Sequence, residues 1–74
     1  MNGIPTIDGD VLALSERAGK RVSVVDISDI TAPKPVAERQ YKLEGNPDTV
    51  VFWRGRMLIP CGYQGLLLER RGGE

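Results

Sequence analysis

The stretch Asp48-Thr49-Val50-Val51-Phe52-Trp53-Arg54-Gly55-Arg56-Met57-Leu58-Ile59-Pro60-Cys61 decides how this chain is read. From Thr49 to Trp53 the side chains alternate, with Val50 and Phe52 on one face and Val51 and Trp53 on the other. That is the period of a β-strand. Arg54-Gly55-Arg56 supplies a tight turn, and Arg56 to Cys61 is the hairpin partner, ending near Pro60. The only Trp, the only Phe and the only Cys of the chain lie here. Phe52, Trp53 and Cys61, with Tyr63 just beyond, are therefore candidate core or interface residues. Arg54 and Arg56 flank the turn beside Trp53 and are candidate exposed ligand contacts, because Arg next to an aromatic ring can stack a base or hold a phosphate. A solvated turn is the plainer reading of the same residues.

Working outward, residues 1–8 read as an irregular lead-in broken by Gly3 and Pro5. Asp8-Gly9-Asp10 is a turn, and Asp10 to Ser15 an apolar run of strand length. Glu16 to Lys20 is a Gly-containing hairpin loop; a helix over Val11 to Ala18 is the rival, since Leu, Ala, Glu and Arg favour helix. Arg21 to Ile27 is rich in β-branched residues and apolar on both faces, which predicts a central strand. Ser28 to Pro35 is a loop, its two prolines excluding a central strand. Val36 to Glu44 reads as an outer strand, with a short helix after Pro35 as the alternative. Gly45-Asn46-Pro47-Asp48 and Gly62-Tyr63-Gln64-Gly65 are turns, Leu66 to Glu69 the last strand, and residues 70–74 a fraying tail. The expectation is a single all-β domain over residues 1–74, an antiparallel meander of about six short strands joined by connections too short for crossovers.

A chain of 74 residues buries little surface and is marginal alone. One Cys excludes an internal disulfide, and no His is present. Self-association is the remaining way to gain stability, so a homo-oligomer is expected. Ten basic and ten acidic residues cancel, which argues against broad electrostatic attraction to nucleic acid or anionic lipid. Met1 to Pro5 carries no charged segment followed by an apolar run, and no apolar run is long enough for a membrane helix. The expected location is the cytoplasm.

The chain partly repeats itself. Gly9-Asp10-Val11-Leu12-Ala13-Leu14 matches Gly55-Arg56-Met57-Leu58-Ile59-Pro60 in hydropathy and glycine placement, an offset of 46 positions from Gly9 to Gly55. Each copy is followed by a Gly-containing turn and an apolar strand, Val22 to Asp26 and Leu66 to Glu69. Arg21-Val22-Ser23-Val24-Val25-Asp26-Ile27-Ser28-Asp29, then Pro33 and Val36, resembles the LVIVD repeat of β-propeller proteins. Asn46-Pro47-Asp48 through Gly55-Arg56-Met57-Leu58-Ile59 is similar to the segment leading into a following blade. The resemblance implies blade-like strands over residues 9–69, three from one blade and three from the next, neither half complete. Ile30 stands where the family usually has Pro, and Arg39-Gln40 looks like an insertion or bulge in the outer strand. Propellers need roughly 4–8 blades, so the half-blades would close as a small barrel or sandwich, or between copies. The resemblance transfers no activity and no catalytic residue. A truncated propeller fragment without separate activity is the alternative.

Candidate chemistry is sparse. Cys61 lacks a His base, and a packing role is the better reading. Asp8, Asp10, Asp26, Asp29 and Asp48 lack the ligand series of a calcium loop and read as turn formers. No cofactor, metal or catalytic set is expected; partners would be copies of the chain or another protein. Leu66-Leu67-Leu68-Glu69-Arg70-Arg71-Gly72-Gly73 resembles the end of ubiquitin-like modifiers, although Glu74 follows and no long helix is in prospect after the first hairpin.

Overall fold

Alternating hydropathy becomes two antiparallel sheets in the computed structural model of the chain, which describes residues 4–70. The first sheet holds β1 (Thr6–Asp8), β2 (Val11–Glu16), β3 (Arg21–Asp26) and β4 (Lys34–Lys42), in that order. The second holds β5 (Val51–Trp53), β6 (Arg56–Pro60) and β7 (Leu66–Leu68), again in chain order. All pairings are antiparallel, and the chain changes sheet once, between β4 and β5. A 3-10 turn at Gly62–Gln64 joins β6 to β7. Among the described residues there is no α-helix, so the rival helices at Val11 to Ala18 and after Pro35 do not form. The helix of a ubiquitin-like fold is missing for the same reason. Gly72 and Gly73, on which that comparison rests, and most of the expected fraying tail lie outside the described residues.

The lead-in is the first correction. Thr6–Asp8 is not irregular but pairs with β2, Thr6 opposite Ala13 and Asp8 opposite Val11. Three residues after Pro5 are too few to show a period, and only the partner strand makes them visible. The first half of the chain therefore has four strands, not three, and the second half has three. Pro35 is the second correction, since it lies inside β4 rather than in the loop before it. Because β4 is an edge strand, the missing N–H is no loss there.

The anticipated irregularity near Arg39-Gln40 is real. Ser23 faces Gln40 and Val25 faces Pro35, so the register slips across Val24. The Gln40 side chain bridges the gap, its Nε2 donating to the carbonyls of Val24 (2.7 Å) and Val36 (2.8 Å). A side-chain amide thus satisfies carbonyls that a regular ladder would have paired, as a buried polar backbone demands.

One face of each sheet meets the other. Ala13, Val22 and Val24 come from the first sheet, and Val50, Met57, Ile59 and Cys61 from the stretch forming the second. Phe52, Tyr41, Leu43, Val36, Val11 and Leu67 pack around them, partly buried. The alternation expected for β5 holds: Val50 is buried and Phe52 half-buried, whereas Val51 and Trp53 are exposed. The repeat holds for β2 and β6. The inward Val11, Ala13 and Ser15 of β2 correspond to Met57, Ile59 and Cys61, at the offset of 46 positions seen from Gly9 to Gly55.

Ser15 sits in this core, 1% exposed, and among the described residues its Oγ has no hydrogen-bond partner. A buried hydroxyl without a partner costs about 1–3 kcal/mol of desolvation. Ser15→Ala is therefore expected to raise unfolding free energy by roughly 1 kcal/mol in urea denaturation, the lost packing of one oxygen offsetting part of the gain. A decrease would show that the hydroxyl is bonded in solution.

Candidate functional site

Three places gather polar or rare side chains. The first is between the sheets. Arg39 leaves the bulge of β4 towards the interior and Glu69 follows β7; both are buried. Arg39 Nε donates to Glu69 Oε2 at 2.8 Å and its Nη2 to Oε1 at 2.6 Å, a bidentate pair. Tyr41 OH donates to Oε2 at 2.6 Å, and the Met57 backbone N–H to Oε1 at 3.1 Å. Arg39 Nη2 also reaches the Gly55 carbonyl at 3.3 Å, holding the β5–β6 turn. Burial pushes the Glu69 carboxyl up. The bonds from Arg39, Tyr41 and Met57, with the Arg39 charge, outweigh it and hold the group below the usual carboxylate range. Glu69 is therefore an anion fully engaged by donors, poorly suited to take or give a proton. The cluster is a strut between sheets.

The second place is the corner around Cys61. Cys61 is buried, as expected of a packing residue, and its Sγ donates to Gln64 Oε1 at 3.1 Å. The same oxygen accepts the backbone N–H groups of Glu44 (3.1 Å) and Gly45 (2.8 Å). Gln64 thus fastens the sheet-changing segment onto the last turn. Gly45 is held so close that a Cβ there would meet the Cys61 carbonyl oxygen at 2.7 Å. Asn46 extends the lock by donating to the Arg17 carbonyl at 2.7 Å. Tyr63, at 83% exposure, lies on the surface with its hydroxyl near the Glu44 carbonyl at 3.4 Å.

The third place is the outward face of the second sheet. Register puts Val51, Leu58 and Leu68 in one cross-strand row, Trp53 opposite Arg56 on one side of it and Leu66 opposite Pro60 on the other. Trp53 is 47% exposed, so it is not a core residue. The alternation that buries Phe52 turns its neighbour outward. Arg54 and Gly55 both have positive φ, 51° and 78°, the pattern of a tight two-residue hairpin turn. Arg54 folds back so that its guanidinium lies 4.9 Å from the Trp53 ring centroid. One face of that ring is occupied by the chain's own cation, which weakens its use as a platform for a base.

Asp26, Asp29 and Asp48 behave as turn formers, whereas Asp8 is the last residue of β1. Asp26 Oδ1 accepts the Ser28 N–H at 2.8 Å, and Asp29 Oδ1 accepts the Thr31 hydroxyl at 2.7 Å and its N–H at 3.1 Å. These bonds lower both carboxyls, Asp26 through the Ser28 backbone and Asp29 through the Thr31 hydroxyl foremost. Asp48 likewise accepts the Thr49 N–H at 2.8 Å. Among the described residues no group of three His, Cys, Asp or Glu side chains could hold a metal ion. Sequence reasoning missed the Arg39–Glu69 pair. A lone Glu ending an apolar strand and a lone Arg in a polar one carry no local sign that they meet.

Glu69→Gln removes the charge facing a buried Arg39 and is expected to cost about 3–5 kcal/mol at pH 7. Arg39→Met with Glu69→Leu should lose much less, because neither partner is then left bare. The pH dependence follows from the lowered Glu69 group. Its contribution is complete above the ordinary carboxyl value of about 4.3 and is lost as pH falls through the lower folded value. Acid titration of stability should show this loss in the native chain and not in the double variant. Gly45→Ala should lower the melting temperature, because the new methyl meets a backbone carbonyl; an unchanged value would show that this corner yields freely. Comparison with family models, curated proteins and solved structures finds no match to this chain.

Proposed function

We propose that the chain is a non-enzymatic β module of propeller-blade type that works by association, either with copies of itself or with another protein. The observation that carries this reading is the outward face of the second sheet. Val51 is 54% exposed, Trp53 47%, Leu66 66% and Leu68 43%, all on one face with Leu58 and Pro60 between them. Together they present an apolar patch on the order of 400 Å², the size at which a monomer's largest patch is often an interaction surface. Neutral net charge leaves no long-range repulsion between copies. The blade-type part rests on the LVIVD resemblance of residues 21–36, in which an apolar strand ending in Val25-Asp26 runs into a turn; here that turn is closed by Asp26 and Asp29 bonding the backbone. The polar clusters support a structural role, since their donors and acceptors are engaged with one another.

Light scattering from about 1 to 500 µM should show a species larger than one chain. Leu66→Glu, placed on the patch and outside the core, should weaken that association at least tenfold, or about 1.4 kcal/mol, with little change in melting temperature. A wild-type chain that stays monomeric throughout would overturn self-association, and an unaffected Leu66→Glu assembly would overturn the role of this face.

A further inference from the structure

We propose that β7 is the junction between copies: it pairs antiparallel with β7 of a second copy, about a two-fold axis passing beside Leu67. The proposal rests on the association reading above and names its interface.

The backbone of β7 is half used. The Glu69 N–H donates to the Met57 carbonyl and the Cys61 N–H to the Gly65 carbonyl, each at 2.8 Å. With Leu67 opposite Ile59, antiparallel alternation turns the N–H and C=O groups of Leu66 and Leu68 away from β6. No strand lies on that side among the described residues. An unpaired edge of this kind is a template for another strand.

The edges of this molecule are not treated alike. The β4 edge carries Lys34, Pro35 and Lys42 and is broken by the bulge, all devices that discourage pairing. β1 follows Pro5 and packs near β5, where the Ile4 N–H donates to Thr49 Oγ1 at 3.1 Å. β7 is Leu66-Leu67-Leu68, with no charge, no proline and no bulge. Unlike β1 and β5, which pack against each other, it carries none of these guards, and the end of β4 faces it across a groove.

The repeat shows that room has been left. In the first sheet β3 is paired with β4; its counterpart β7 has no strand paired to its outer edge among the described residues. Beside it lies a groove of about 200 Å³, with Tyr41, Lys42 and Leu43 on one side and Leu67, Leu68 and the charged Glu69 and Arg70 on the other.

The strand is also complementary to itself. A two-fold beside Leu67 sets Leu66 against Leu68 of the second copy and the reverse, so the free groups of each exchange both hydrogen bonds. Arg70 then falls opposite Gln64 of the second copy, not opposite another cation. The leucines extend the apolar row of Val51 and Leu58 across the junction, and the two second sheets become one.

Amide hydrogen exchange of Leu66 and Leu68, followed by NMR on the whole chain over the same concentration range as the light scattering, tests this directly. Both amides should exchange at least tenfold more slowly at about 500 µM than at about 5 µM, whereas the amides paired to β6 should change less. Leu68→Pro, which removes an outward N–H and leaves the β6 ladder intact, should abolish the larger species. If that variant does not fold, the exchange of the wild type decides alone. Assembly with unprotected Leu66 and Leu68 amides would overturn the β7 junction and leave association standing. A monomer at every concentration, as expected if a different protein covers this edge, would overturn both.

Discussion

Everything in this fold hangs on one buried ion pair, because the sheets share few apolar residues and Arg39 with Glu69 joins them across the gap. Among the described residues the buried apolar core is seven residues, with Pro47 buried beside it. At the usual scale a chain this size is stable by something like 4–11 kcal/mol. A pair whose breakage costs a large share of that total fixes how the sheets can sit. The geometry offsets its desolvation: Glu69 receives donors from a guanidinium, a phenol and a backbone amide, and Arg39 also serves a turn carbonyl. An apolar pair could fill the same volume, yet would let one sheet slide over the other. Directional bonds select one alignment, at the cost of tolerance to change at either position.

The same scarcity of core explains the surface. A strand of a thin two-sheet domain has one face inside and one outside, and a polar outer face is the usual arrangement. In β5, β6 and β7 the outer face is apolar as well, apart from Arg56, while charged residues are frequent on β4 and the loops. The second sheet is built like an interior sheet that lacks its cover. The asymmetry between a guarded β4 and an unguarded β7 points the same way, with the hazard of an open edge restricted to one place.

Strand positions were legible in the sequence because alternation, β-branched runs and Gly or Pro turns are local signals. β3 reads as central from its two apolar faces, and it lies between β2 and β4. β1 was illegible because three residues carry no period. Pro35 misled because its meaning depends on whether the strand is an edge, which is a property of the sheet. Trp53 read as either a core or a contact residue: alternation separates it from Val50 and Phe52 without saying which face is outside, and its 47% exposure removes only the core reading. The pairs that tie the molecule together, Arg39 with Glu69 and Gln64 with Glu44 and Gly45, are separated by 30, 20 and 19 positions. Contacts between distant, individually ordinary residues leave no local trace.

The close seat of Gly45 on Cys61 gives the thiol a particular status. Its sulfur is enclosed by the backbone that passes over it and by the Gln64 amide. A thiol reagent can reach it only when that segment lifts away. The labelling rate, relative to that of an unfolded chain, therefore measures the free energy of opening this one corner. The chain carries a built-in clock for the seam where it passes from the first sheet to the second.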